Sequence, residues 1–314
     1  MARLAVQVVT HNNEETIQTA LESLEPLEAE VWVLDHGSTD HTTEIAARYA
    51  KTRPINQRSE GRNSMIQESD ADWFFTLEPW EKLAAGHAAI LNTTRNALPG
   101  RVFVTQGDIL TKPIRLWPRQ AGFRFTGPAF ESFQCEQGAI SVNALVSAAL
   151  VDHTEYNLGL LQEWKKTTPT VPTPYYYEAM IHLAKYRWDD FLRLAEHFLF
   201  RSTTMSMPVV LTRYYMAVAH CQAKRNAHDS LKNLMVCLSV KPLMAEFWCL
   251  LADIHYFLQH DFDKAYRFYD NALVMGSKRK TGDEWPVQLS KYGEYPKKML
   301  ESIKAIRESR KLIY

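Results

Sequence analysis

From Leu4 to Thr10 the chain reads LAVQVVT, a short run dominated by apolar and β-branched residues, as in a buried strand. From Asn13 to Leu24 the apolar positions Ile17, Ala20, Leu21 and Leu24 recur at i, i+3, i+4 and i+7, which predicts an amphipathic helix. A second apolar strand, Val31–Leu34, leads into His36-Gly37-Ser38, and Thr39 or Asp40 is placed to cap a helix reaching Ala50. The alternation continues with a helix around Arg62–Glu68, a strand Trp73–Leu77, a helix from about Glu81 to Ala97 and a strand Val102–Thr105. Such alternation predicts a mostly parallel sheet in a doubly wound α/β domain over residues 1–150.

Past residue 150 the β-rich runs stop, and aromatic, Ala and Leu residues recur at helical spacing, so residues 151–314 are expected to form an all-α domain. Leu183-Ala184 and Leu251-Ala252 lie 68 residues apart and Tyr214 lies 34 before Trp248. A period of 34 is that of tetratricopeptide repeats. One copy starts at Tyr214 and places Ala217, Cys221, Ser230, Leu234, Cys237 and Pro242 at packing and terminal positions. The next supplies Trp248, Leu251, Ala252, Ala265, Tyr269 and Ala272, with a turn one residue longer than the consensus. A degenerate first copy spans Tyr177 to Phe200. An ordinary helical domain with chance periodicity is the alternative. His182, His197, His220, His255 and His260 fall at helical spacings in this region and read as packing or face residues.

Composition adds little: 314 residues, 46% hydrophobic and 23% charged, suit a soluble two-domain protein. The first apolar run is too short for a signal peptide or a membrane span, so a cytoplasmic location is expected. Cys135, Cys221, Cys237 and Cys249 show neither zinc-finger spacing nor a disulfide framework. Net charge is zero, yet residues 277–314 carry ten Lys or Arg against five Asp or Glu, a surface suited to an anionic partner or simply a solvated helix face.

Ligands of open α/β sheets bind at the carboxyl edges of parallel strands, where the first two strands end. Asp35 can accept hydrogen bonds from a base or ribose, and Gly37 and Ser38 allow close backbone approach. Asp40 and Thr42 either join that site or cap the helix after them. The stretch VVTHNNEETIQTALESLEPLEAEVWVLDHGSTDHTTEIAARYAK resembles the opening of family 2 glycosyltransferases. It carries Thr10, Asn12, Glu14, Glu15, Asp35, Gly37, Ser38, Thr39, Asp40 and Thr42 in the family's order. The resemblance implies a GT-A, Rossmann-like domain followed by tetratricopeptide-like repeats, and a nucleotide-sugar site drawing on Thr10, His11, Asn12, Glu14, Asp35, His36, Gly37 and Ser38. His36 stands where relatives often have Asp or Thr.

Two later stretches extend the likeness and break it. In GRNSMIQESDADWFFTLEPWEKL, Arg62 and Asn63 match the family, and a guanidinium there can grip a diphosphate. The family's metal-binding Asp-Ala-Asp-Glu reads Glu78-Pro79-Trp80-Glu81, so Glu78 is the one candidate metal ligand kept while Trp80 cannot ligate. In IRLWPRQAGFRFTGPAFESF the register assigns Arg115, Gly127, Phe130 and Glu131, with phenylalanine where relatives have a metal-binding histidine. Both changes imply that cations among Arg62, Arg115, Arg119 and Arg124 stabilise the leaving diphosphate, with Glu78, Trp80 and Arg115 beside it and no divalent metal. Inverting transfer needs a carboxylate base, for which Glu131 is the first candidate and Glu81 the second.

The resemblance thus implies an inverting glycosyltransferase moving a sugar, a hexose, from a nucleoside-diphosphate donor, a UDP-sugar, to a peptide, protein or glycan chosen by the repeats. One alternative acceptor is hydroxymethylated DNA, bound through the basic segment 277–314. The other alternative is a catalytically silent GT-A fold in an adaptor.

Overall fold

All seven residues of β1 (Leu4–Thr10) are buried, and the strand pairs in parallel on both edges, with β2 (Glu30–Asp35) and with β4 (Trp73–Thr76). The computed structural model describes residues 2–130, 132–133, 138–149, 151–279 and 284–311. The chain divides into two units, Met1–His153 and Thr154–Tyr314. Between its strands the first unit carries α1 (Ile17–Glu22), α2 (Thr42–Ala46), β3 (Lys51–Pro54) and α3 (Arg58–Glu68). After β4 come β5 (Glu81–Ala85), α4 (His87–Thr93), β6 (Gly100–Gln106), β7 (Ile109–Thr111), β8 (Ile114–Pro118), β9 (Phe125–Thr126), β10 (Ser132–Phe133) and β11 (Ile140–Ala148). Within this unit the strand order is β7-β6-β8-β4-β1-β2-β3.

Alternation along β1 explains its total burial. Val6 and Val8 pack with Ile17, Leu21 and Leu24 on one face, while Ala5 and Val9 pack with Met65, Phe74 and Trp117 on the other. The sheet is mixed, because β8 runs antiparallel to both β4 and β6. β11 pairs parallel to β6 and antiparallel to β5.

The helix expected over Glu81–Ala97 is instead a strand, a tight corner and a shorter helix. Glu81 and Leu83 are buried while Lys82 is exposed, a period of two that suits pairing with Ala148, Val146 and Ser147 of β11. Gly86 makes the corner with φ of 90°, and a Cβ there would lie 2.4 Å from the Ala144 Cα and the Asn143 carbonyl oxygen. The first two predicted helices are shorter than expected, and β3 and the strands of 107–150 were not foreseen.

The second unit contains α5 (Thr154–Thr167), α6 (Thr173–Ala184), α7 (Trp188–Arg201), α8 (Met207–Gln222), α9 (Ala227–Val240), α10 (Ala245–Asp253), α11 (Phe262–Ser277) and α12 (Glu294–Lys311). α6 with α7, α8 with α9, and α10 with α11 form helical hairpins. α7 shows why: its buried residues Phe191, Leu194, Ala195 and Phe198 make one stripe. The three hairpins turn through a left-handed residue, the last two with the same closing bond to the sixth residue back and the first with one to the fifth. Tyr186, Arg225 and His260 are left-handed, and the N–H after each donates at 2.9 Å to the carbonyl of His182, His220 and His255. A π turn over Ile254–Leu258 extends α10 in the copy that has the extra residue.

Buried polar groups tie the last hairpin to α12. Asp253 accepts from the Tyr269 and Tyr295 hydroxyls at 2.5 and 2.6 Å, and burial pushes its carboxyl above the usual range. Glu246 accepts from Tyr292 at 2.8 Å and lies near the Arg279 guanidinium. Arg279, Lys291 and Arg307 of the basic segment therefore face Glu246, Asp253 and Asp263. Cys221 and Cys237 are buried free thiols pushed up to about 11 and about 12 by burial, whereas Cys135 lies outside the described residues.

Gly86→Ala must force a positive φ and displace the β11 backbone, so it is expected to cost at least about 2 kcal/mol. Urea unfolding checks this; native-like stability would contradict the corner geometry.

Candidate functional site

β1 and β2 end side by side, with Thr10 in register with Asp35, so segments 11–16 and 36–42 interlace at one edge of the sheet. Asp35 is buried and accepts from the Ser38 hydroxyl at 2.5 Å and from the Ser38 N–H at 3.2 Å. The same hydroxyl accepts the Asn12 N–H at 3.0 Å. Asn12 is left-handed, with φ of 52°, and its side-chain oxygen accepts the Thr39 N–H at 2.7 Å. Gly37 also has positive φ, 77°, in open space, so backbone conformation rather than room calls for glycine.

Glu14 accepts the His41 N–H at 3.0 Å, and its own N–H donates to Asp40 at 3.2 Å. Asp40 also accepts the Thr42 N–H at 3.0 Å. Burial pushes the Asp40 carboxyl up, but the hydrogen bonds from Thr42 and Glu14 outweigh it and hold the group below its ordinary range. The two loops therefore brace each other. His11 Nδ1 donates to the His36 carbonyl at 2.9 Å, and His36 Nε2 donates to the Asn56 carbonyl at 3.0 Å.

Asn13, absent from the residues singled out by sequence, is the pivot of this frame. Its side-chain oxygen accepts from the Thr10 hydroxyl at 2.9 Å and the His11 N–H at 3.1 Å, and its own N–H donates to Thr42 at 2.7 Å. Its amide nitrogen lies 2.9 Å from Nε2 of His153.

The end of β4 carries the second half of the site. Glu78 Oε1 lies 3.1 Å from Arg62 and 3.7 Å from Arg115, while Oε2 lies 3.7 Å from Arg58. Arg58 and Arg62 stand one turn apart on α3, and Arg115 comes from β8. Arg115 also donates to Glu81 at 2.8 Å, and the other Glu81 oxygen accepts the Glu78 N–H at 2.9 Å. Among the described residues, three guanidiniums thus meet the carboxylates of Glu78 and Glu81. Burial pushes the Glu81 carboxyl up, with Arg115 opposing. Arg58 was missed, although its position four residues before Arg62 was a readable signal.

Other expected residues take different posts. Asn63 is committed to the Phe125 backbone, donating and accepting at 2.9 Å. Arg119 donates to the carbonyls of Ala71, Ile66 and Ser69 at the end of α3 and so does not join the cluster. Arg124 is exposed. Trp80 packs its ring 5.4 Å from that of His153. Glu131 lies outside the described residues.

Among the described residues, this donor set does not suit a divalent ion. Glu78 already meets three guanidiniums, an indole fills position 80, and Phe130 holds the expected histidine position. Among the described residues no group of three or more His, Cys, Asp and Glu is placed to hold a metal.

Residues 5–78 match glycosyl transferase family 2. This span covers the braced loops, α3 and Glu78. No curated protein matches the chain. Among solved structures, TarS 1–349 of S. aureus is similar at 12% identity, covering 96% of this chain and 91% of that one with a TM-score of 0.38. MamA 41-end from Desulfovibrio magneticus RS-1 is similar at 12% identity over 50% of this chain and 86% of that one, with a TM-score of 0.36. Neither likeness, at such scores, bears on function.

Glu78→Gln leaves the guanidiniums without their shared carboxylate and should lower stability by about 3 kcal/mol. Inorganic pyrophosphate should then stabilise the variant more than the native chain. Thermal unfolding with and without pyrophosphate tests both statements; a variant as stable as native in buffer alone would contradict the account of the cluster.

Proposed function

We propose that the first unit binds a nucleoside-diphosphate sugar, with UDP as the nucleotide, and transfers its hexose with inversion to a macromolecular acceptor engaged by the helical unit. The supporting observation is the carboxylate of Glu78 held among Arg58, Arg62 and Arg115 beside the family-matched loops. In this reading Asp35 and the Asn12–Ser38 frame receive the nucleoside, and the diphosphate lies against the guanidiniums.

The acceptor oxygen attacks the anomeric carbon as the bond to the diphosphate breaks, and negative charge grows on the leaving oxygens. Fixed guanidiniums lower the energy of that charge without reorganising. Arg62 is suited to this: it is 2% exposed, and its guanidinium stacks 5.1 Å from the Phe125 ring. The acceptor's proton passes to a carboxylate, for which Glu131 is the proposed base. Glu81, with both oxygens engaged, instead positions Arg115.

Thermal-shift titration with UDP-sugars tests the reading, because a ligand bound only by the native state raises the unfolding temperature. A UDP-hexose should raise it, and Asp35→Asn and Arg58→Met should each weaken the effect about tenfold in ligand concentration. The absence of a shift with every nucleoside-diphosphate sugar would overturn the proposal and favour an adaptor.

A further inference from the structure

Between α1, β5 and the end of β11 lies a pocket of about 350 Å³, within the range of small-molecule sites. Its walls are tied together. The Leu83 N–H donates to the Ser23 hydroxyl at 3.0 Å and joins β5 to the end of α1. The Ala149 N–H donates to the Trp80 carbonyl at 2.8 Å, and Lys82 stands in register with Ser147 across the β5–β11 pair. Trp80 supplies an indole wall, steadied by the His153 ring at 5.4 Å.

The polar groups that line it are of mixed character. Glu15 and Thr19, four residues apart at the start of α1, bring a carboxylate and a hydroxyl, and Lys82 and Ser147 bring an ammonium and a second hydroxyl. Among the described residues none of these four side chains has a hydrogen-bond or ion-pair partner. Glu81 lines the pocket too, but its two oxygens are taken by Arg115 and the Glu78 N–H. A phosphate would be opposed by Glu15 and an amine by Lys82. An apolar ligand would strip water from the four polar groups and give nothing back. A pyranose suits all of them, because its C–H face covers the indole while its hydroxyls both donate and accept.

We propose that this pocket seats a neutral pyranose, laid on Trp80 and hydrogen-bonded by Glu15, Thr19, Lys82 and Ser147. The assignment rests on the donor reading above and adds to it the place of a sugar. That place adjoins the guanidiniums, since Glu81 both lines the pocket and accepts from Arg115. The donor's own hexose and a hexose at the end of a glycan acceptor present the same chemistry to it. The indole at position 80 thereby gains a task beyond packing on His153.

Calorimetric titration of the full chain and two variants tests this, with UDP, UDP-glucose, UDP-N-acetylglucosamine, maltose and chitobiose as probes. Trp80→Leu removes the aromatic wall, and Glu15→Ala removes an exposed carboxylate on which no contact among the described residues depends. Each should weaken binding of the pyranose-bearing probe about tenfold and leave UDP unchanged. A loss confined to the UDP-sugars puts the donor's hexose in the pocket, and one confined to the disaccharides puts the acceptor's there. Native affinity for every sugar probe in both variants, or an equal loss for UDP, would overturn the assignment while leaving the donor reading intact. A native chain that binds the disaccharides but neither UDP nor a UDP-sugar would bring down the donor reading alone. One that binds no probe would bring down both.

Discussion

Glu78 is the constraint on which the site turns. Three guanidiniums from two elements converge on one carboxylate just past the end of β4. That carboxylate couples α3, β8 and the β4 edge. Arg115 is shared between Glu78 and Glu81, so the two carboxylates at this edge are coupled through one guanidinium. Two nearby contacts stiffen the arrangement: Arg62 lies against the Phe125 ring, and Asn63 pairs with the backbone of the same residue.

The loops after β1 and β2 supply the complementary half. Their polar groups are largely spent on one another, through Asn12 and Thr39, Ser38 and Asp35, Glu14 and His41, and Asp40 and Thr42. Such mutual bracing leaves little to reorganise on binding, and therefore lowers the ordering cost that a ligand must offset. Asn13 links this frame to His153, and Trp80 packs on the same histidine beside the cluster. The indole at a position where relatives carry a ligating acid thus has a packing role.

Much of this was readable from sequence because it rests on local pattern. The parallel core strands announce themselves as apolar runs, and the order Thr10, Asp35, Gly37, Ser38 marks their ends. Glu81–Ala85 was misread as helix since its alternation covers only three clear positions, and only the partner strand β11, some 60 residues on, decides between periods. Arg119 shows the limit for side chains: as a cation near Arg115 it looked like a diphosphate ligand, yet its place at the end of α3 commits it to three carbonyls. Asn13 and His153 could not be paired in advance, because 140 residues separate them and no local motif links them. The hairpin turn escaped notice for a different reason. Its mark is a left-handed residue, and Tyr186, Arg225 and His260 have no common chemistry.

The central claim is that guanidiniums do at this site what a divalent ion does in the family's usual arrangement. Donor turnover, followed as hexose release from a UDP-hexose in excess EDTA and then with added Mn²⁺, tests it most directly. The account predicts equal rates in the two conditions and a loss of turnover in Arg62→Met that Mn²⁺ does not repair. Turnover abolished by EDTA and restored by Mn²⁺ would contradict it.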